Sequence, residues 1–292
     1  MAITTAMIKE LREATGAGIL DSKKALETTG GNFEKAVEHL REKGLAKAAK
    51  KASREANDGL VAVQISDGGT QAALVEVNCE TDFVARTEDF TDFVANITRQ
   101  VFENDRLTSV DELNAAAYIS NPDQTVTDAI QAIISKLGEN IVVKRFERYT
   151  LAGQGIIDSY IHSNNRVGVL VELETNGAET DQTALQELAH DLTLHVAATN
   201  PRYINKEDVP AEMVEAERSI YLAQLADDKK PDNIKARIVE GRLNKFYSEI
   251  CLLEQGFVKD DSVSIGKLLQ QSGKSLNTPL KIRRFTRFEI GA

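Results

Sequence analysis

At 292 residues, 42% of them hydrophobic, the chain can bury one to three cores, and it contains no apolar run long enough to cross a bilayer. Its formal net charge of −10 opposes general affinity for phosphate backbones. Cys79 and Cys251 are the only cysteines and lack Cys-x-x-Cys spacing, which argues against a disulfide framework and against a zinc site. Met1 leads into an amphipathic helical pattern with no apolar stretch ahead of a small-residue cleavage site, so a cytoplasmic protein is expected.

Residues 1–55 read as a three-helix unit and a linker. Ile8 and Leu11 share a face of the first helix, Gly16 and Gly18 break the chain, and Ile19, Leu20, Ala25 and Leu26 carry the second. After a turn at Gly30-Gly31-Asn32, the residues Phe33, Ala36, Val37 and Leu40 recur at helical steps, and Gly44 is expected to end the third helix. A unit this small has little room for a buried site, so docking is its expected role. Arg41, Lys43, Lys47, Lys50, Lys51 and Arg54 form a basic, alanine-rich tract. Two uses fit it: a solvated helical linker, or a contact for RNA or an acidic protein face.

The remainder contains a duplication. In residues 56–150, alternation predicts a hairpin of strands 60–65 and 72–79 around Asp67-Gly68-Gly69. In the second copy, strands 156–161 and 167–173 flank Asn164-Asn165. Each hairpin precedes a helix, 88–102 or 183–198, and each copy closes on a strand, 141–149 or 280–288, that ends Arg-Phe-x-Arg-aromatic. The second copy, 151–208 and 251–292, is interrupted by a charged helical segment at 209–250. There Val209-Pro210 opens a helix with Met213, Ile220 and Gln224 on one stripe, Lys230-Pro231-Asp232 turns, and Ile234, Ile238 and Phe246 mark a second helix. A projecting hairpin buries little alone, so it is expected to contact a partner or a second copy of the chain. The expected fold class is α+β: a three-helix unit, then duplicated small antiparallel sheets with packed helices, the second repeat carrying a helical-hairpin insertion.

The pentapeptide Thr-Asp-Phe-Val-Ala occurs twice, at 81–85 and 91–95. Phe90, Phe93, Val94, Ile97 and Val101 fall at steps of three and four, which gives the second copy a core role. No period demands an apolar residue at Phe83, which reads as a wedge offered to a partner. Catalytic patterns fail on inspection. Gly273-Lys274-Ser275 has Leu268 where a phosphate loop needs glycine, and Gly16-Ala17-Gly18 and Gly153-Gln154-Gly155 put Asp21 and Asp158 where a dinucleotide loop needs its third. His190 and His195 stand five apart, unlike a zinc pair, and His195 on its apolar helix reads as a hydrogen-bonded packing residue. His162, at a strand edge beside a polar turn, is a candidate for surface recognition. No cofactor, metal or nucleophile-and-base site is expected.

Four segments then stand in order along nearly the whole chain: Thr15-Gly16-Ala17-Gly18-Ile19-Leu20-Asp21-Ser22-Lys23-Lys24-Ala25-Leu26, Asn78-Cys79-Glu80-Thr81-Asp82-Phe83-Val84-Ala85, Gly138-Glu139-Asn140 and His195-Val196-Ala197-Ala198. In these, and in the duplicated core with its insertion, the sequence resembles the bacterial translation elongation factor Ts family. The resemblance implies a UBA-like N-terminal unit and a guanine nucleotide exchange factor that expels GDP from elongation factor Tu, without an active site or bound nucleotide of its own. It implies that Thr81, Asp82, Phe83 and Val84 meet the partner's G domain, with the ring inserted near its magnesium site, and that Lys23 docks there too. Leu137, Gly138, His162 and Val258 correspond to further contact positions. Lys259 departs from the pattern, following Val258 where some relatives have an apolar residue. A homodimer or a two-to-two complex through the insertion or core is compatible with this reading. The alternatives are a non-catalytic adaptor and an RNA-associated ribosomal accessory protein that uses the basic tract.

Overall fold

The computed structural model describes residues 2–176, 181–226, 228 and 230–292. Helices α1 (Thr5–Thr15), α2 (Ile19–Thr28) and α3 (Phe33–Lys51) pack around Leu11, Ala25, Leu26 and Ala36. Gly44 does not end α3, which runs on to Lys51. The alanine-rich sequence beyond Gly44 favours helix, and Gly44 lies where α3 passes the core helix Val126–Leu137. A Cβ at Gly44 would stand 3.2 Å from the Ser135 hydroxyl, so the small residue serves a close crossing. Ile19 and Leu20 are exposed, while Ala25 and Leu26 fill the core.

The first half of the core comprises β1 (Asp58–Ile65), β2 (Gln71–Cys79), α4 (Asp82–Ala85), α5 (Glu88–Glu103), α6 (Val110–Ala115), β3 (Ala117–Tyr118), β4 (Asn121–Thr125), α7 (Val126–Leu137) and β5 (Val142–Thr150). The second half repeats most of that order: β6 (Gly155–Ile161), β7 (Val167–Thr175) and α8 (Gln182–Thr199), then α9 (Ala211–Ala223) and α10 (Asp232–Ile250) as the insertion. It closes with β8 (Gly256–Phe257), β9 (Asp260–Ser264), α11 (Ile265–Ser275) and β10 (Leu280–Glu289). Two antiparallel three-stranded sheets result, ordered β1-β2-β5 and β10-β7-β6.

The period of two along the central strands decides the layering. Ala73, Val75 and Val77 of β2 face the core shared with α5 and α7, while Ala72 and Leu74 face the other sheet. In β7, Val169, Val171 and Leu173 face the core with α8 and α11, while Leu170 joins the seam between the sheets. The seam is closed by Val61, Tyr149, Ile157 and Phe288.

The seam is reciprocal, as an internal two-fold requires. The Val61 amide donates to the Asn165 carbonyl at 2.8 Å, and its counterpart Ile157 donates to Gly69 at 2.7 Å. Leu151 donates to Thr70 and Ile290 to Arg166, both at 2.9 Å. Glu76 and Glu172, fully buried, each accept from an arginine Nε at 2.6 Å, from Arg145 and Arg284 respectively. Each of these guanidiniums also stacks on the opposite half, Arg145 over Phe288 at 4.4 Å and Arg284 over Tyr149 at 3.8 Å.

The inserted hairpin has its own small core of Leu225, Val239 and Leu243, against Val214, Tyr221, Ile238 and Tyr247. Ile220, expected on one stripe with Met213 and Gln224, is exposed near the tip with Leu222 and Ile234, while Met213 meets the Tyr203 hydroxyl.

Phe93, 5% exposed, packs in the first core with its ring 6.2 Å from that of Tyr118. Phe93→Ala should lower unfolding stability by about 3–5 kcal/mol. Denaturant unfolding checks this, and a loss below about 1 kcal/mol would contradict the core assignment.

Candidate partner-docking site

β2 ends at Cys79, and the chain turns at once into α4, a helix of four residues. Thr81 is its N-cap, with a hydroxyl that accepts from the Val84 amide at 3.4 Å. Helical geometry then splits the turn: Val84 and Ala85 enter the core, while Phe83 is left 80% exposed. Asp82 favours the helix start by its charge and pairs with Arg86 at 2.8 Å. That pair is exposed and adds little stability.

Two loops lock together beneath this turn. The Glu139 carboxylate accepts from the Glu80 amide at 3.1 Å, the Thr81 amide at 3.0 Å and the Thr81 hydroxyl at 2.6 Å. In return, Glu80 accepts from the Asn140 amide at 2.7 Å. Buried Asn140 donates its side-chain amide to the Arg54 carbonyl at 2.8 Å, and Arg54 pairs with Glu80 at 3.5 Å. The Cys79 thiol donates to the Thr81 carbonyl at 3.1 Å. Burial, then the Glu139 and Asp58 carboxylates, pushes that thiol up to about 12, so it stays protonated. Gly138 caps α7 in the left-handed region at φ 83°, which suits glycine. Lys51 of α3 donates to the Gly138 carbonyl.

Of the residues singled out in the sequence, Thr81, Asp82, Phe83 and Val84 thus sit beside Gly138, joined by Glu80, Glu139 and Asn140. Leu137 is partly buried against the first core. Lys23 is on α2 of the N-terminal unit, exposed and 3.8 Å from Glu27. His162 and Val258 belong to the second half, where both are tied to α8 or β6. Tyr160 bridges its hydroxyl to His162 Nδ1 at 2.9 Å, and the exposed Val258 tips the turn between β8 and β9. Sequence reasoning missed the exposed pair Ile19 and Leu20. For Leu20 the available signal was the helical angle, since it stands two positions before buried Ser22, on the opposite side of α2; Ile19 lies on the side of Ser22 and Leu26 and gave no such signal.

The sequence profile described as "Elongation factor TS" matches residues 80–292. A protein of Clostridium kluyveri named "Elongation factor Ts" is 48% identical over 289 residues, spanning 99% of this chain and 93% of its own. Similar proteins of the same name from Clostridium novyi and Halothermothrix orenii are 45% and 44% identical, over 99% and 100% of this chain and 93% of theirs. The chain belongs to the elongation factor Ts family.

In this family member four residues of the basic tract are engaged internally. Arg41 pairs with Asp128 at 3.2 Å and Lys43 with Asp21 at 2.7 Å. With Lys51 on Gly138 and Arg54 on Glu80, the tract fastens α3 to the core. The Lys47 side chain lies outside the described residues. Among the described residues, no group of three or more His, Cys, Asp or Glu is placed to hold a metal ion, and no helix is long and apolar enough to cross a membrane.

The turn bearing Val258 is held by His195, which is fully buried as a packing histidine. The Val258 amide donates to Nδ1 at 3.2 Å, which places the proton on Nε2, facing the Gln255 side-chain oxygen Oε1 at 3.0 Å. Gln100 occupies the matching place in the first half, accepting from the Ile119 amide at 3.0 Å. Burial lowers the His195 pKa, with the Gln255 hydrogen bond opposing. A histidine depressed in the folded state contributes stability that is complete above its unfolded pKa and is lost as pH falls below it toward the folded pKa. His195→Gln, which copies the other half, should therefore flatten the decline in thermal stability below about pH 6.5. Melting curves from pH 7.5 to 5 test this, and an unchanged slope would assign the decline to other groups.

Proposed function

We propose that this chain is a guanine nucleotide exchange factor for elongation factor Tu, and that Phe83 is the wedge that loosens the nucleotide. The carrying observation is a large aromatic ring, 80% exposed, on a helical turn anchored by a buried face and a capped start. An exposed ring gains nothing in the free protein and gains its burial in a partner's pocket.

No bond need be made or broken. Magnesium holds nucleotide phosphates through short, near-octahedral ligation, so small displacements of its ligands are costly. A ring seated only when the partner's magnesium and phosphate elements have moved makes exchange factor and nucleotide mutually weakening. By linkage the two weaken each other by the same factor, so incoming nucleotide expels the exchange factor in turn. In this reading Thr81, Asp82 and Val84 set the wedge, and Leu137 and Gly138 supply the adjoining surface. Lys23, beside exposed Ile19 and Leu20, docks the N-terminal unit, while His162 and Val258 give the second half its own contacts.

Elongation factor Tu loaded with fluorescent GDP, chased with excess GDP, should release its label faster when this protein is added. Phe83→Ala should forfeit about 2 kcal/mol of that effect, a factor of about 30 in rate. Its own stability should change by less than about 0.5 kcal/mol, because the ring is exposed. No acceleration by the wild type would remove the exchange reading and leave an adaptor.

A further inference from the structure

We infer that Glu139 is the positioning residue of the wedge: its carboxylate, 58 residues beyond Thr81 in sequence, aims Phe83 by fixing the first turn of α4. This rests on the exchange reading above, and it assigns a role to a residue that never meets the nucleotide.

A four-residue helix cannot hold its own direction, since helix nucleation costs more than so few hydrogen bonds return. Its direction must come from both ends. Val84 and Ala85 anchor one side in the core, and the other anchor is Thr81. Two amides and one hydroxyl at Glu80 and Thr81 converge on Glu139, within 2.6–3.1 Å. Charge-assisted bonds of this kind are stronger than neutral ones. With its hydrogen directed at Glu139, the Thr81 oxygen keeps its lone pairs for the Val84 amide, so the cap and the clamp share one hydroxyl. Glutamine at 139 would offer one acceptor oxygen in place of two and would lose the charge, so the bonds that remain are weaker. The clamp would loosen while Val84 and Ala85 remained buried. A ring freed to swing must be ordered when it binds, which reduces its effect on the partner.

Two measurements separate aiming from general stability. In the GDP-release assay, Glu139→Gln should reduce acceleration about tenfold in the Phe83 chain and by less than about twofold in the Phe83→Ala chain, because it acts through the ring. An equal loss in both backgrounds would overturn the proposal. The second measurement needs no partner. The chain contains no tryptophan, so Phe83→Trp gives a single reporter. Its time-resolved anisotropy should gain a fast component when Glu139→Gln, or the more severe Glu139→Ala, is added to a chain shown folded by circular dichroism. Unchanged anisotropy in both would overturn the proposal. If the wild type fails to accelerate GDP release, the exchange reading falls, and the anisotropy alone decides whether Glu139 fixes the turn.

Discussion

Two carboxylates buried in the seam between the sheets set the terms for the core. An ionised carboxylate out of water costs several kcal/mol unless it is paired and hydrogen-bonded. Glu76 and Glu172 stand on the seam-facing side of the two central strands, where no solvent reaches them. Each partner strand answers with a β-bulge. The register of β5 shifts opposite Glu76/Val77 and that of β10 between Ile282 and Arg284, so Lys144 and Arg283 are the extra residues. A bulge sets two residues against one, and two consecutive cations thereby reach one carboxylate. Arg145 and Arg284 make the short bonds, with Lys144 at 3.5 Å and Arg283 at 3.6 Å.

The same arginines join the halves. Having neutralised the glutamate of its own sheet, each guanidinium lies on an aromatic ring of the other and points Nη2 at a carbonyl there, Glu289 for Arg145 and Thr150 for Arg284. Neither half could leave this arrangement without exposing a charge pair's apolar surroundings. Duplication is thus a packing solution: one sheet buries its second face on its own likeness. The turn that displays Phe83 benefits because β2, which carries it, is the middle strand of a sheet covered on both faces.

Much of this was legible in the sequence. The duplication, both hairpins and the core role of Phe93 follow from period and order. The Arg-Phe-x-Arg-aromatic endings also find a reason for every letter. Arg145 and Arg284 pair the glutamates, Phe146 and Phe285 pack against the two helix-facing cores, and the final Tyr149 and Phe288 fill the seam. Arg148 and Arg287 donate to the carbonyls of Phe102 and Ala197, each at 3.2 Å. What sequence period could not give was any feature made by a distant partner. Gly44 reads as a stop until Ser135 is seen against it, and the basic tract reads as a solvated run until Asp128 and Glu80 are seen to meet it. Ile220 and Ile234 fit a helical stripe whose other wall, near the hairpin tip, is absent among the described residues.

The repeated Thr-Asp-Phe-Val-Ala segment shows the same limit at its sharpest. Composition cannot distinguish the two copies, and in both the structure forms helix. In the second, Thr91 lies inside α5, where the helix continues on either side and its stripe carries Phe93 inward. In the first, Thr81 caps a helix that has only just begun at a strand end, so the phase of the turn is open to whatever grips it. The inward positions fall to Val84 and Ala85, and the phenylalanine that is core in one copy is displayed in the other. That phase is set by hydrogen bonds from residues 80 and 81 to Glu139 in the loop after α7. The display of Phe83 is therefore a tertiary property. It depends on the whole first half having folded, because only then do the strand end and the helix end stand close enough to share a carboxylate.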